Sequence, residues 1–171
     1  MLLTKRDHIF NLTQPGAICA ELGVAKGEFS ERGLRDYPIG HLYSIDRWSD
    51  HHNLEEYKET KKRLYPYKDR NTILKMTFDE ALVRFPDEFF DLIYIDGYAH
   101  TGQEDGKTLK DWYPKVKPGG VFAGDDYTHK YQKTVDVVDA FMYNMGLDLH
   151  IINCSEKTWE SRYPTWYAIK P

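Results

Sequence analysis

The chain has 171 residues, with 23 Lys plus Arg against 27 Asp plus Glu and a formal net charge of −4. That length buries one substantial core and is too short for two domains, and a mildly acidic chain with no basic block longer than Lys61-Lys62-Arg63 disfavours nucleic acid, whose phosphates require a basic footprint. Cys19 and Cys154 build neither a disulfide framework nor a zinc spacing, Lys5-Arg6 does not fit a signal peptide, and no apolar run approaches the roughly 18 residues of a membrane span, so the expected setting is cytoplasmic, with no nucleic acid or membrane as partner.

Residues 1–16 read as a helical lead-in whose apolar part is Ile9, Phe10 and Leu12, broken by Pro15-Gly16. Ala17–Leu22 is the first strand and Gly23–Gly27 a turn. Glu28–Asp36 is a helix closed by Tyr37-Pro38. His41–Ile45 is the second strand, ending at Asp46. Asn53–Leu64 is a charged helix with Leu54, Tyr57 and Leu64 as its apolar stripe. Thr72–Met76 is the third strand and Asp79–Phe85 a short helix. Phe90–Ile95 and Val116–Gly124 are apolar runs bounded by Gly, Pro or Asp, the pattern of fully buried strands in a parallel sheet. Thr101–Tyr113 between them is long enough for a crossover helix. In Thr134–Met145, Val135, Val138, Met142 and Met145 recur at three-to-four spacing, and Gly146 stops the helix. Leu149–Ile152 and Trp166–Ile169 are strands joined by Ser155–Pro164, which has no helical pattern, so they form an antiparallel hairpin. The alternation predicts an α/β domain with helices on both faces of one sheet and right-handed crossovers.

Ligands of open parallel sheets bind at the carboxyl ends of the strands. Glu21-Leu22-Gly23-Val24-Ala25-Lys26-Gly27 lies at such an end, where glycines allow close backbone approach and the following helix offers free N–H groups. Glu21 suits a positively charged ligand group and repels a pyrophosphate. Ala25 stands at the second glycine position of G-x-G-x-x-G, which argues against a dinucleotide and a nicotinamide-dependent dehydrogenase. Asp46, closing the second strand, is placed to accept both hydroxyls of a ribose. Asp96, Asp125 and Asp126 end two neighbouring strands and so gather on the same edge. His100 and His129 follow them, and an imidazole titrates near neutrality; a solvated loop histidine is the alternative for each. His51-His52, after Asp50, are not spaced like a zinc site and read as a polar helix start. Tyr127, Tyr131, Trp159 and Trp166 are candidates for an acceptor pocket or for core.

The series Glu21-Leu-Gly23…Gly27, Asp46, Asp91-Leu-Ile-Tyr-Ile-Asp96-Gly97 and Lys117-Pro-Gly-Gly-Val121 resembles the class I S-adenosylmethionine-dependent methyltransferases over Ala17–Pro171. The resemblance implies a single methyltransferase domain spanning 1–171, with 17–171 a Rossmann-like core. It also implies a seven-stranded mixed sheet of order 3-2-1-4-5-7-6. Gly23 and Gly27 would then pass beneath the methionine part of S-adenosylmethionine, Asp46 would hold the ribose, and Thr77 and Phe78 would flank the adenine. Glu21 and Asp96 complete the cofactor set. Trp48 either stacks on the adenine or packs in the loop.

Within that superfamily, Asp96 with Asp125-Asp126 resembles the metal-dependent O-methyltransferases of the catechol and macrolide-sugar type, which implies that the three hold Mg²⁺ or another divalent cation. Three oxygen donors with waters and substrate oxygens satisfy a small octahedral ion, and a metal-bound hydroxyl is more acidic and better oriented. The alternative is that Asp125 and Asp126 cap the next helix or bind water while Asp96 touches the cofactor amine. His100 is the first choice of base, since a histidine at nearly this spacing recurs in the macrolide-sugar group, whereas the catechol enzymes use lysine. The implied function is methylation of a small-molecule hydroxyl, on a sugar or polyphenol, with His100 and Asp96 as catalytic residues. The competing reading is a non-catalytic S-adenosylmethionine-binding accessory protein. The chain lacks the long N-terminal extension and the insertion near the sixth strand that cover substrate in this superfamily, so a homodimer or a partner subunit is expected to close the site.

Overall fold

The structure, a computed structural model, describes residues 2–49, 51–153 and 162–171. Asp50, Cys154, Trp159 and most of the predicted Ser155–Pro164 connection lie outside the described residues. One sheet contains β1 (Ile18–Leu22), β2 (His41–Asp46), β3 (Asn71–Lys75), β4 (Phe90–Ile95), β5 (Val116–Gly124), β6 (His150–Ile152) and β7 (Thr165–Ile169). Their order is β3-β2-β1-β4-β5-β7-β6. The first five run parallel, and β7 runs antiparallel to both β5 and β6, so the expected sheet and its closing hairpin are both present. Among the described residues no helix is long and apolar enough to cross a membrane.

The helices are α1 (Glu28–Asp36), α2 (Leu54–Leu64), α3 (Phe78–Leu82), α4 (Gly102–Asp105), α5 (Lys107–Trp112) and α6 (Gln132–Met145). They divide the core in two because side chains alternate across a strand. Ile93 and Ile95 of β4 join Phe85, Phe122, Trp112 and Met142 on one face, while Leu92 and Tyr94 join Phe29, Leu34 and Leu64 on the other. Every strand is placed within a residue or two of its predicted span, since each is an apolar run bounded by Gly, Pro or Asp.

Two segments depart from expectation in ways that shape the site. The lead-in forms a 3-10 helix over Arg6–Leu12 that is docked into the core. Phe10 stacks on Phe29 at 5.0 Å between ring centroids and lies so close to Gly33 that a Cβ there would be 2.5 Å from its ring. In a 3-10 helix residues three apart share a face, so the burial of Ile9 carries Arg6 inward too, and both are buried. The predicted crossover helix over Thr101–Tyr113 is not continuous. A 3-10 turn at Ala99–Thr101 is followed by positive φ from Gly102 through Gly106, including Gln103, Glu104 and Asp105, and regular helix begins only at Lys107. Two glycines four residues apart weaken a right-handed turn. The left-handed one buries Gln103, whose Nε2 donates to the Gly97 carbonyl at 3.1 Å.

Candidate active site

A cleft of about 810 Å³ crosses the carboxyl ends of the central strands. It lies where the strand order reverses between β1 and β4, the usual ligand position in such sheets. Gly23 lines it, whereas Gly27, also expected there, does not and faces α2 instead. Gly23 has φ +92°, and a Cβ on it would lie 2.2 Å from the Asp96 carbonyl oxygen; Gly27 has φ +78°, and a Cβ would meet Thr60 at 3.0 Å. Both glycines are therefore demanded by the chain's own close approach at this edge.

Asp46 stands at the end of β2, as expected. Its Oδ2 accepts from the Val24 and Ala25 N–H groups at 2.9 and 3.0 Å, and its Oδ1 accepts from the Trp48 N–H at 2.9 Å. The carboxylate thus fixes the loop while lining the cleft. Trp48 packs: it is buried, its Nε1 donates to the Ala25 carbonyl at 2.8 Å, and its ring lies on Tyr57. Thr77 and Phe78 line the cleft beside Tyr98. Thr77 caps α3 in a reciprocal capping box with Glu80, which sets the first turn of α3 and with it Phe78.

Glu21 is buried at the end of β1. It accepts a hydrogen bond from Ser30 Oγ, which lies 2.8 Å from Ser44 Oγ, and Asn71 Nδ2 donates to Ser44 at 2.9 Å. This buried polar chain holds the carboxyl in place. Burial pushes Glu21 up to about 8, against the pull of the nearby Arg6 charge.

Asp96, Asp125 and Asp126 come together as expected, and the structure adds a cation that the sequence reading missed. Arg6 bonds Asp96 Oδ2 through one terminal nitrogen and meets Asp125 Oδ2 at 3.2 Å through the other. Its guanidinium lies 4.5 Å from the Phe29 ring centroid and 4.9 Å from that of Tyr94. Burial drives Asp125 well above the usual carboxylate range and raises Asp126 to about 7, with the Asp96 charge adding to both. The three carboxylates do not fit a divalent cation in this arrangement, because two of them are already ion-paired with Arg6. Among the described residues no group of three His, Cys, Asp or Glu side chains is arranged to hold a metal ion. Of the three residues expected to hold a metal, Asp96 and Asp125 are paired with Arg6 and Asp126 lines the cleft. The residues do fit S-adenosylmethionine: Glu21, Asp96 and Asp126 line the floor with carboxyl groups that can accept from a cationic ligand, and Glu28 and Phe29 bring the first turn of α1 to its wall.

On the β4–β5 side the wall includes His100, Lys130, Tyr131, Arg162 and Tyr163. His100 is exposed and meets Tyr131 edge-on at 4.9 Å. Lys130 Nζ donates to the Tyr163 hydroxyl at 2.6 Å. His51 and His52 also line the cleft, with His52 Nδ1 2.8 Å from Glu56. His129 does not line it and instead faces Gln132 at 3.0 Å. Tyr127 donates to Asp139 on α6 at 2.6 Å, and Trp166 is core against Phe122. Of the proposed aromatic lining only Tyr131 is confirmed among the described residues. One signal in the sequence pointed to Arg6, its place three residues before Ile9 on an apolar face. None pointed to Lys130 or Tyr163.

Residues 20–127 match the protein family described as methyltransferase domain. Solved structures share the fold at low identity. An O-methyltransferase from Bacillus cereus in complex with SAH is 14% identical, with a TM-score of 0.74 over 96% of this chain and 80% of that one. Precorrin-6y C5,15-methyltransferase from Geobacter metallireducens is 16% identical, with a TM-score of 0.70 over 95% and 86%. Precorrin 8w decarboxylase from Methanobacterium thermoautotrophicum is 22% identical, with a TM-score of 0.67 over 95% and 87%. No curated protein sequence matches this chain significantly.

Proposed function

The chain belongs to the methyltransferase domain family and is an S-adenosylmethionine-dependent methyltransferase, and we propose that it methylates a hydroxyl oxygen of a small, planar acceptor of the polyphenol kind. The observation that carries this reading is the division of the cleft along the sheet order. The β1–β2–β3 half presents Glu21, Gly23, Asp46, Thr77 and Phe78, and the β4–β5–β7 half presents His100, Tyr131 and Tyr163. His100 and Tyr163 both meet Tyr131 edge-on, and such rings suit a flat apolar ring with polar edges better than they suit a sugar.

S-adenosylmethionine supplies an electrophilic methyl group on a sulfonium. Glu21 and Asp96 are the groups that would hold its cationic part, Asp46 the ribose, and Thr77 with Phe78 the adenine. His100 accepts the hydroxyl proton as the oxygen attacks, the role its position at the rim beside Tyr131 supports. Asp126, with its carboxyl raised to about 7, is a second proton acceptor on the same side. The walls hold the acceptor oriented, and orientation contributes much of the rate. No step in this reading passes through a metal, because Arg6 is ion-paired with two of the three carboxylates a metal would need.

Methyl transfer from labelled S-adenosylmethionine to a panel of catechols, monophenols and sugars tests it. Turnover of phenolic acceptors is expected. Turnover confined to sugars overturns the acceptor class. Tight S-adenosylhomocysteine binding with no transfer to any hydroxyl overturns the O-methylation.

A further inference from the structure

We propose that Arg6 is the resident cation of the carboxylate cluster, standing where a divalent ion would otherwise sit, so that the site works without a metal. Asp96, Asp125 and Asp126 end two adjacent strands, and their charges repel unless a cation lies among them. A divalent ion would supply that charge through a shell of about six oxygens. Arg6 supplies it through a planar fork of N–H donors that matches carboxylate geometry. Its two terminal nitrogens already address Asp96 and Asp125 at their Oδ2 atoms. The two cations are therefore mutually exclusive there.

The fork is also held from behind. Phe29 and Tyr94 lie on its faces at 4.5 and 4.9 Å, where cation–π attraction favours a guanidinium. Ile9 and Phe10, on the same 3-10 helix, are at most 2% exposed, so withdrawing Arg6 means undocking the lead-in from the core. Asp126 is left lining the cleft, so the floor still presents negative charge to a cationic ligand. This inference deepens the functional reading above, but it is measurable on resting protein, independent of turnover.

Mn²⁺ is the probe, followed by electron paramagnetic resonance and calorimetry, with S-adenosylhomocysteine titrated in parallel. Wild type is expected to take up no stoichiometric Mn²⁺ and to bind S-adenosylhomocysteine within about twofold equally in excess EDTA and in excess Mg²⁺. Arg6→Met should gain a single Mn²⁺ site that the added Asp126→Asn change removes, and Arg6→Lys should gain none. Removing the guanidinium leaves buried carboxylates uncompensated, so Arg6→Met is less stable, and Mn²⁺ should raise its Tm while leaving that of wild type unmoved. A wild-type Mn²⁺ site abolished by Asp126→Asn overturns the inference. So does an Arg6→Met chain that neither takes up Mn²⁺ nor is stabilised by it. Loss of S-adenosylhomocysteine binding from wild type counts against the methyltransferase site instead, and leaves the metal result readable.

Discussion

Glu21 is sealed from water and yet faces a ligand cleft, and these two conditions give it a distinctive pH dependence. Its carboxyl is raised by burial to about 8 in the folded chain, against about 4.3 when unfolded. Between those values the native state holds a proton that the unfolded chain has released. Stability therefore falls as pH rises from about 4.3 to about 8, and the full cost, on the order of 3–5 kcal/mol, is present above that. Glu21→Gln removes the slope while keeping a hydrogen bond for Ser30. Its Tm relative to wild type should climb between pH 5 and pH 9, and parallel Tm curves would sink the assignment. The same variant should bind S-adenosylhomocysteine about tenfold or more weakly at high pH, where it lacks a charge-assisted bond. His100 gives a complementary test, because its ring is exposed and touches Tyr131. His100→Ala should lower kcat by about a hundredfold or more with S-adenosylhomocysteine affinity unchanged. An undiminished kcat would move the proton to Asp126.

At the scale of elements, the segment after β4 is the one whose handedness can be measured. Glu104 has φ +56° and its side chain is exposed, so its backbone carries the left-handed cost of about 1–2 kcal/mol for an L-residue. Glycine relieves that cost and loses some of the gain to unfolded-state entropy. Glu104→Gly should therefore stabilise by about 0.5 kcal/mol in denaturant unfolding. In a right-handed helix the same change destabilises by about 1 kcal/mol, so the sign alone decides the conformation. This is also where sequence reading reached its limit. Strands such as Phe90–Ile95 were legible because a buried parallel strand is an apolar run with hard stops, and α6 because its stripe and Gly146 agree. Residues 101–113 offered helical length and two glycines, and length gave the wrong answer. The burial of Gln103 against the Gly97 carbonyl is a tertiary contact that no local pattern encodes.

On the scale of the whole molecule, the lining of the cleft by Glu21, Gly23, Asp46 and Asp96 was legible because each lies at the end of a strand, and topology alone gathers strand ends. Arg6 was not legible as their partner, because it reaches Asp96 across 90 residues of sequence from an element whose only visible signal was apolar. The same topology predicts how a ligand spreads its stabilisation. The cleft touches the ends of β1, β2, β4 and β5 and the loops after them, at the centre of the sheet, whereas β6 lies at the far edge. S-adenosylhomocysteine at a hundred times its Kd should stabilise the chain by about 2.7 kcal/mol, which for a domain of this size is a rise in Tm of about 5–10 °C. Hydrogen exchange should show the added protection over Gly23–Gly27 and Asp96–Thr101, with His150–Ile152 gaining only what global unfolding accounts for. Those loops carry the strained backbone of Ala25 and Tyr98, both at positive φ, and such segments open at low free energy when empty. Protection confined to the β6–β7 edge would place the ligand elsewhere. A Tm shift with no local protection at either loop would mean that the ligand does not rest on the carboxyl ends of the strands.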